Sequence, residues 1–233
     1  MNKRIVIFAP HPDDETLACG GTIAKKLNEG YDVFLVFLTD GRNSLKETGI
    51  SSDPSPLELK EIRKDEAKRA ARVLGISQKN LIFADIEDGD LQKNENLAHE
   101  IINDVLSNFP EIVFFPQEKE FHIDHRVTNR LIRNAIERLN FHPFQYQYAI
   151  AWQYPLNLMP RLPEVMQNAI VSTFFKKEIV QIDISDFLPI KIAALKEYKS
   201  QLKILSSKQR RPVLRDSFVK MFLKGKEKFF LNK

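Results

Sequence analysis

Short runs of β-branched and aromatic residues alternate along this chain with longer stretches of helical period, and no other feature limits its fold as much. Arg4–Ala9, Asp32–Leu38, Asn80–Ala84 and Glu111–Phe115 read as strands, with later ones at Tyr148–Gln153, Ala169–Phe175 and Glu178–Ile182. Between them Asp14–Asn28, Leu57–Leu74, Asn96–Ser107 and Asp124–Leu139 read as helices; Gly30 and Gly75 close the first two, and the third stops before Pro110. Strands and helices in alternation predict an α/β protein, a Rossmann-like three-layer fold with a mainly parallel sheet flanked by helices. With 233 residues, 43% of them hydrophobic, the chain can bury a sizeable core, and wholesale disorder is excluded. No apolar run approaches the roughly 20 residues needed to cross a bilayer. The start of the chain lacks the apolar core of a secretory signal, so a cytoplasmic protein is expected.

Charge is unevenly spread. Residues 208–233 hold nine Lys/Arg against Asp216 and Glu227, +7 in all, so the rest of the chain carries −3 of the net +4. Basicity confined to one end gives no footprint for nucleic acid over the rest of the chain, and no nucleic-acid partner is expected. Residues 1–207 therefore read as one domain and 208–233 as a basic amphipathic tail. In that tail Phe218, Met221, Phe222, Leu223, Phe229, Phe230 and Leu231 interleave with lysines. A helix packing its apolar stripe on the domain or on a second subunit is the favoured reading, and peripheral membrane contact is the alternative.

Two clusters carry the chemistry: His11-Pro12-Asp13-Asp14-Glu15 directly after the first strand, and His122-Ile123-Asp124-His125 shortly after the fourth. Open parallel sheets bind ligands at the carboxyl ends of their strands, which brings both clusters to one crevice. Carboxylates in a first helical turn also complement the helix dipole, and a lone histidine is more often structural than a ligand. Two histidine–carboxylate clusters at two strand ends reverse that balance. Imidazoles plus one carboxylate, with a position left for water, make a catalytic zinc layout. The sole cysteine, Cys19, excludes an internal disulfide and a cysteine zinc site, leaving any metal to His, Asp or Glu. Only one of the neighbours Asp13 and Asp14 need be a ligand, while the other takes a proton from water; His122 can face a developing oxyanion with Asp124 orienting it. The polar stretch Gly41–Pro56, longer than most connections, reads as a functional loop.

These residues resemble the LmbE-like or PIG-L family of zinc-dependent N-acetylglucosamine deacetylases. Pro10-His11-Pro12-Asp13-Asp14-Glu15 stands where the family has its opening motif, with Pro10 in a position commonly alanine. Thr16-Leu17 and Gly20-Gly21-Thr22 are similar to the family's first helix, Thr39-Asp40-Gly41 to the end of its second strand, and Arg63 with Glu66 to its second helix. Asp88-Gly89-Asp90-Leu91 is similar to a family turn, His122-x-Asp124-His125 to its second metal motif, and Lys191 to Gln201 to its late helix. The resemblance implies His11, Asp14 and His125 as ligands of Zn²⁺ and Asp13 as general base. It also implies His122 as acid or oxyanion stabiliser tuned by Asp124, and Arg63 and Asp88 as contacts to sugar hydroxyls. The expected function is a metal-dependent hydrolase in which zinc-bound water removes the acetyl group of an N-acetylglucosamine-type sugar or conjugate, a small-molecule partner. The alternatives are hydrolysis of another amide or a phosphoester, or a non-catalytic Rossmann-like binding module.

Other features carry less. Cys19-Gly20-Gly21-Thr22 lacks the Gly-x-Gly-x-x-Gly spacing of a dinucleotide site, and the glycine pair reads instead as close helix packing. Cys19 reads as a buried small hydrophobe. Trp152 and Tyr154 read as core aromatics before sugar-stacking ones.

Overall fold

The computed structural model describes residues 3–50, 52–150 and 177–232, together with Met166 and Thr173. Seven strands among these residues form one sheet: β1 Arg4–Ala9, β2 Asp32–Thr39, β3 Leu81–Ile86, β4 Ile112–Pro116, β5 Phe144–Tyr148, β6 Glu178–Asp183 and β7 Lys226–Asn232. Their order is β3-β2-β1-β4-β5-β7-β6. The first five pair in parallel, with Ile7 opposite both Leu35 of β2 and Phe114 of β4, and β7 runs antiparallel to its two neighbours. The helices bounded among these residues are α1 Asp14–Asn28, α2 Pro56–Leu74, α3 Glu95–Leu106, α4 Ile123–Leu139, α5 Leu188–Leu195, the single turn α6 Lys199–Leu202, and α7 Asp216–Phe222.

The side-chain period of a strand builds the two layers. Ile5, Ile7 and Ala9 of β1 join Leu17 and Ile23 of α1, Ala67, Ala70 and Leu74 of α2, and Leu195 of α5 on one face. Val6 and Phe8 join Ala98 and Ile102 of α3 and Leu131 and Ile132 of α4 on the other. Burial on both faces is why β1 reads as an unbroken apolar run. Local chemistry fixes the helix ends. Ser55 and Glu58 form a reciprocal capping box with Pro56 at the first turn of α2, and Gly75, at φ 93°, closes it in the left-handed region.

The chain leaves β1 outward to β2 and β3, then returns to β4 beside β1 and moves outward again. The order of strands reverses between β1 and β4, so the switch-point crevice opens at their carboxyl ends, where His11 and His122–His125 follow.

Most expected elements appear within a residue or two of their predicted bounds, with two corrections. The strand expected at Tyr148–Gln153 is β5, Phe144–Tyr148; it starts directly after Pro143, pairs residue for residue with β4, and so is set by register. The basic tail is not one helix: after α7, Gly225 breaks the chain and Lys226–Asn232 enters the sheet as β7 between β5 and β6. Its alternation buries Glu227 and Phe229 toward the α1 layer, while its backbone pairs with β6 along Lys226–Leu231 and with β5 at Phe230–Asn232. The expected strand at Ala169–Phe175, and Trp152 and Tyr154, lie outside the described residues apart from Thr173.

Candidate active site and metal centre

Between the end of β1 and the start of α1 the backbone passes through Asp13 at φ 132°, ψ −26°, a positive-φ conformation that L residues rarely adopt. Such backbone costs on the order of 1–3 kcal/mol and persists only where the surroundings hold it. Here the Asp13 N–H donates to Glu15 Oε2 at 3.1 Å, and the Arg63 guanidinium lies 3.0 Å from Asp13 Oδ2. Arg63 is 2% exposed and also donates to the carbonyls of Pro12 and Gly41. A Cβ on Gly41, itself at φ +66°, would sit 2.7 Å from the guanidinium carbon, so glycine is required there. Burial pushes the Asp13 carboxyl up to about 8, against the pull of Arg63.

Asp14, one residue on, faces the opposite way. Its Oδ2 lies 3.3 Å from His11 Nδ1 and 3.2 Å from His125 Nε2, and those two nitrogens are 3.3 Å apart. The same oxygen accepts the His11 backbone N–H at 3.0 Å. Three ligand atoms on a tetrahedral zinc, with bonds of about 2.0–2.1 Å, are separated by about 3.3–3.4 Å. The triangle has that size, so these three atoms could hold a metal ion. Burial acts to raise the Asp14 carboxyl, but His125 and His11 outweigh it and hold it well below the usual carboxylate range.

The outer nitrogens of the two histidines meet buried carboxylates, as ligating imidazoles usually do. His11 Nε2 lies 3.2 Å from Asp88 Oδ1 and 3.3 Å from Asp124 Oδ2. Burial works to lower the His11 imidazole, yet Asp88, Asp124 and Asp14 keep it well above its ordinary value. His125 Nδ1 is buried without a hydrogen-bond partner and faces Glu120 Oε2 at 3.7 Å. Asp124 is itself fixed, accepting from the backbone N–H of Gly89 at 2.8 Å and of Leu91 at 3.3 Å.

His122 caps α4: its Nδ1 accepts the Asp124 backbone N–H at 3.3 Å. A neutral imidazole accepting at Nδ1 carries its proton on Nε2, leaving a donor for a ligand. The side chain is 42% exposed, edge-on to His11 with ring centres 4.5 Å apart. Burial first, then the charges of His11 and His125, push His122 down to about 4. A second group, His11, Asp88, His122 and Asp124, also lies within ligand range. The His11–Asp14–His125 triangle, whose three atoms have the tetrahedral spacing, is the candidate metal centre.

All eight sequence-predicted residues meet in one region, but two are placed otherwise than expected. Asp124, expected to orient His122, turns its carboxylate to His11, at 3.3 Å against 3.9 Å to His122 Nδ1. Arg63, expected on sugar hydroxyls, grips Asp13 and two carbonyls. Asp88 accepts the Asn43 N–H at 3.2 Å besides facing His11. A cleft of about 590 Å³ opens over these groups; Asn43 and Ser44 of the Gly41–Pro56 segment line it, as does Gln201, which donates to Ser44 Oγ at 3.2 Å. Sequence reasoning passed over Glu120, two residues before His122. It also weighed Glu15 only as a dipole complement, and nothing local shows that Tyr198 donates to its carboxylate at 2.5 Å across the fold.

Fold and site define a three-layer α/β protein with a histidine–carboxylate cluster that could hold a metal ion at the switch point of its sheet. Residues 6–136 match the family described as PIG-L: GlcNAc-PI de-N-acetylase, and the chain belongs to that family. It is 29% identical over 202 residues to diacetylchitobiose deacetylase of Thermococcus kodakarensis, covering 85% of this chain and 70% of that protein. A probable N-acetyl-alpha-D-glucosaminyl L-malate deacetylase 2 of Bacillus cereus is 27% identical over 216 residues, covering 88% and 86%. The solved N,N'-diacetylchitobiose deacetylase of Pyrococcus horikoshii shares the fold, with a TM-score of 0.68 over 99% of this chain and 84% of that one at 21% identity.

Proposed function

We propose that this protein hydrolyses the acetamide of an N-acetylated amino sugar or sugar conjugate, releasing acetate and a free amine. The observation that carries the reading is the His11–Asp14–His125 triangle with a carboxylate, Asp13, and a donor-bearing imidazole, His122, in the same cleft. His11, Asp14 and His125 would hold a zinc ion, which when bound would supply Lewis acidity, lowering the pKa of water at the site toward neutrality and polarising the carbonyl. Asp13, poised near neutrality by burial against Arg63, accepts the proton of the attacking water. His122 donates from Nε2 to the oxygen on which negative charge develops. Protonated Asp13 then returns its proton to the nitrogen as the C–N bond breaks. Asp88 and Asp124 hold His11 to its orientation, and Asp88, Asn43 and Ser44 offer polar contacts to sugar hydroxyls. The relatives named as deacetylases of diacetylchitobiose and of a glucosaminyl malate support the substrate class.

Elemental analysis of protein purified without chelator, with acetate release from N-acetylglucosamine conjugates measured alongside, tests the reading. About one zinc per chain and acetate release are expected. Asp13→Ala should retain the metal and lose on the order of 10²–10⁴-fold in turnover, whereas His11→Ala should lose the metal. Full turnover in Asp13→Ala removes its assigned role, and absence of bound divalent metal after reconstitution removes the catalytic reading.

A further inference from the structure

The cleft is two-sided. Its floor is charged and buried: Asp13, Asp14, Arg63, Asp88, Glu120 and His125 are all at most 9% exposed. Its outer wall is apolar and partly exposed, formed among the described residues by Phe121, Ile150, Val213, Leu214 and Phe218. Three of these come from the C-terminal segment. Its position is fixed by the fold: Leu214 N–H donates to Gln201 O at 2.9 Å, Val213 packs on the Leu45–Ile50–Leu59 cluster, and Phe218 lies tilted against Phe222 at 5.1 Å between ring centres. Phe121, 63% exposed, stands beside His122 at the mouth.

This gradient sorts the parts of a substrate. The acyl group must reach the triangle, which among the described residues is flanked by the carboxylates of Asp13 and Glu120 and the Arg63 guanidinium, a poor surface for a chain longer than acetyl. A group on the far side of the sugar meets the outer wall, and burying apolar area there is favourable, while a charged group would lose water without finding a charged partner among the described residues of that wall. The flanking Arg211 and Arg215 are not among the residues lining the cleft. We propose that Phe121, Leu214 and Phe218 are specificity-determining residues that receive an apolar aglycone, so that the substrate is an N-acetylated amino sugar bearing an aryl or alkyl group. The inference rests on the deacetylase reading above and deepens it.

The test measures kcat/KM for acetate release from free N-acetylglucosamine, its phenyl glycoside and its carboxymethyl glycoside, and for fatty-acid release from N-hexanoylglucosamine. The phenyl glycoside should exceed the free sugar by at least about tenfold. Phe218→Ala and Phe121→Ser should each cut that ratio several-fold while leaving the free sugar within about twofold; Phe121, being exposed, guards against a folding artefact at Phe218. Equal rates on phenyl glycoside and free sugar, a carboxymethyl glycoside as good as the phenyl one, preference for the hexanoyl amide, or a ratio unmoved in both variants overturns the proposal while leaving the deacetylase standing. Failure of every N-acetylated substrate overturns the deacetylase reading, and this inference with it.

Discussion

Three consecutive carboxylates, Asp13, Asp14 and Glu15, diverge into three environments within one turn of chain. Asp13 faces Arg63, Asp14 faces two imidazoles, and Glu15 is turned inward to accept the Asp13 N–H, Thr16 Oγ1–H and Tyr198 O–H. Burial raises the Glu15 carboxyl, and those donors pull it back. Glu15 thus fastens the strained Asp13 backbone to the far end of the chain. Glu15→Ala leaves buried donors unmet, each costing about 1–3 kcal/mol, or some 2–4 °C of Tm per kcal/mol for a chain of this size. Thermal unfolding should show a drop of several degrees, most of it recovered in Glu15→Gln, because its amide oxygen still serves Asp13 and the two hydroxyls can turn to accept. The motif letters were legible in the sequence. Which carboxylate faces which partner was not, because the answer lies in the φ of Asp13 and in Tyr198, far along the chain.

Between elements, two contacts decide how tightly the layers close. At the middle of α1, Glu227 of β7 accepts the backbone N–H groups of Gly21 at 2.9 Å and Thr22 at 2.8 Å and pairs with buried Lys191 of α5 at 2.6 Å. A Cβ on Gly21 would stand 2.5 Å from Ile184, so the glycine pair read from sequence as a packing feature answers to this contact. Removing Glu227 strands a buried ammonium: Glu227→Ala should lose about 3–5 kcal/mol in denaturant unfolding. Adding Lys191→Met to Glu227→Gln should restore much of it, since the amide oxygen still reaches α1. At the surface, Asp85, at φ 56° within β3 where its register with β2 shifts, pairs with Lys64 at 2.8 Å and Lys60 at 3.3 Å of α2. Burial works to raise its carboxyl, but the two lysines lower it. A carboxyl lower in the folded than in the unfolded state stabilises above its unfolded pKa, and that stability is lost as pH falls through the folded value. Asp85→Asn, which tolerates the same φ, should therefore be up to about 1 kcal/mol less stable than the parent at pH 7, with the gap closing as pH falls below about 4; unfolding curves at both pH values measure it.

At the scale of the whole molecule, one strand from the basic end completes the sheet. β7 hydrogen-bonds on both sides and buries Phe229 among Phe114 and Tyr146, with ring centres 5.1 and 5.8 Å away. Phe229 and Phe230 of this strand are buried, so the apolar residues of β7 face the protein. Deleting residues 224–233 would expose the edges of β5 and β6 and leave Lys191 unpaired. Such a truncation should lose cooperative unfolding and aggregate, measurable by light scattering; a monomeric, cooperatively folded product would show that β7 is dispensable. No helix among the described residues is long and apolar enough to cross a membrane.

The sequence by itself determined the strand–helix alternation, the bounds of α1 and the ends of α2, and the two histidine clusters. Each of these is written in neighbouring residues: period, capping chemistry, glycine stops and motif spacing act over a few positions. It could not determine that Asp124 serves His11 instead of His122, that Arg63 clasps Asp13, or that the tail ends as an inner strand. Those outcomes depend on which segments, distant along the chain, the sheet brings side by side. A carboxylate takes the partner that burial leaves it, and a strand forms where two open edges offer hydrogen bonds, and both are properties of the assembled fold.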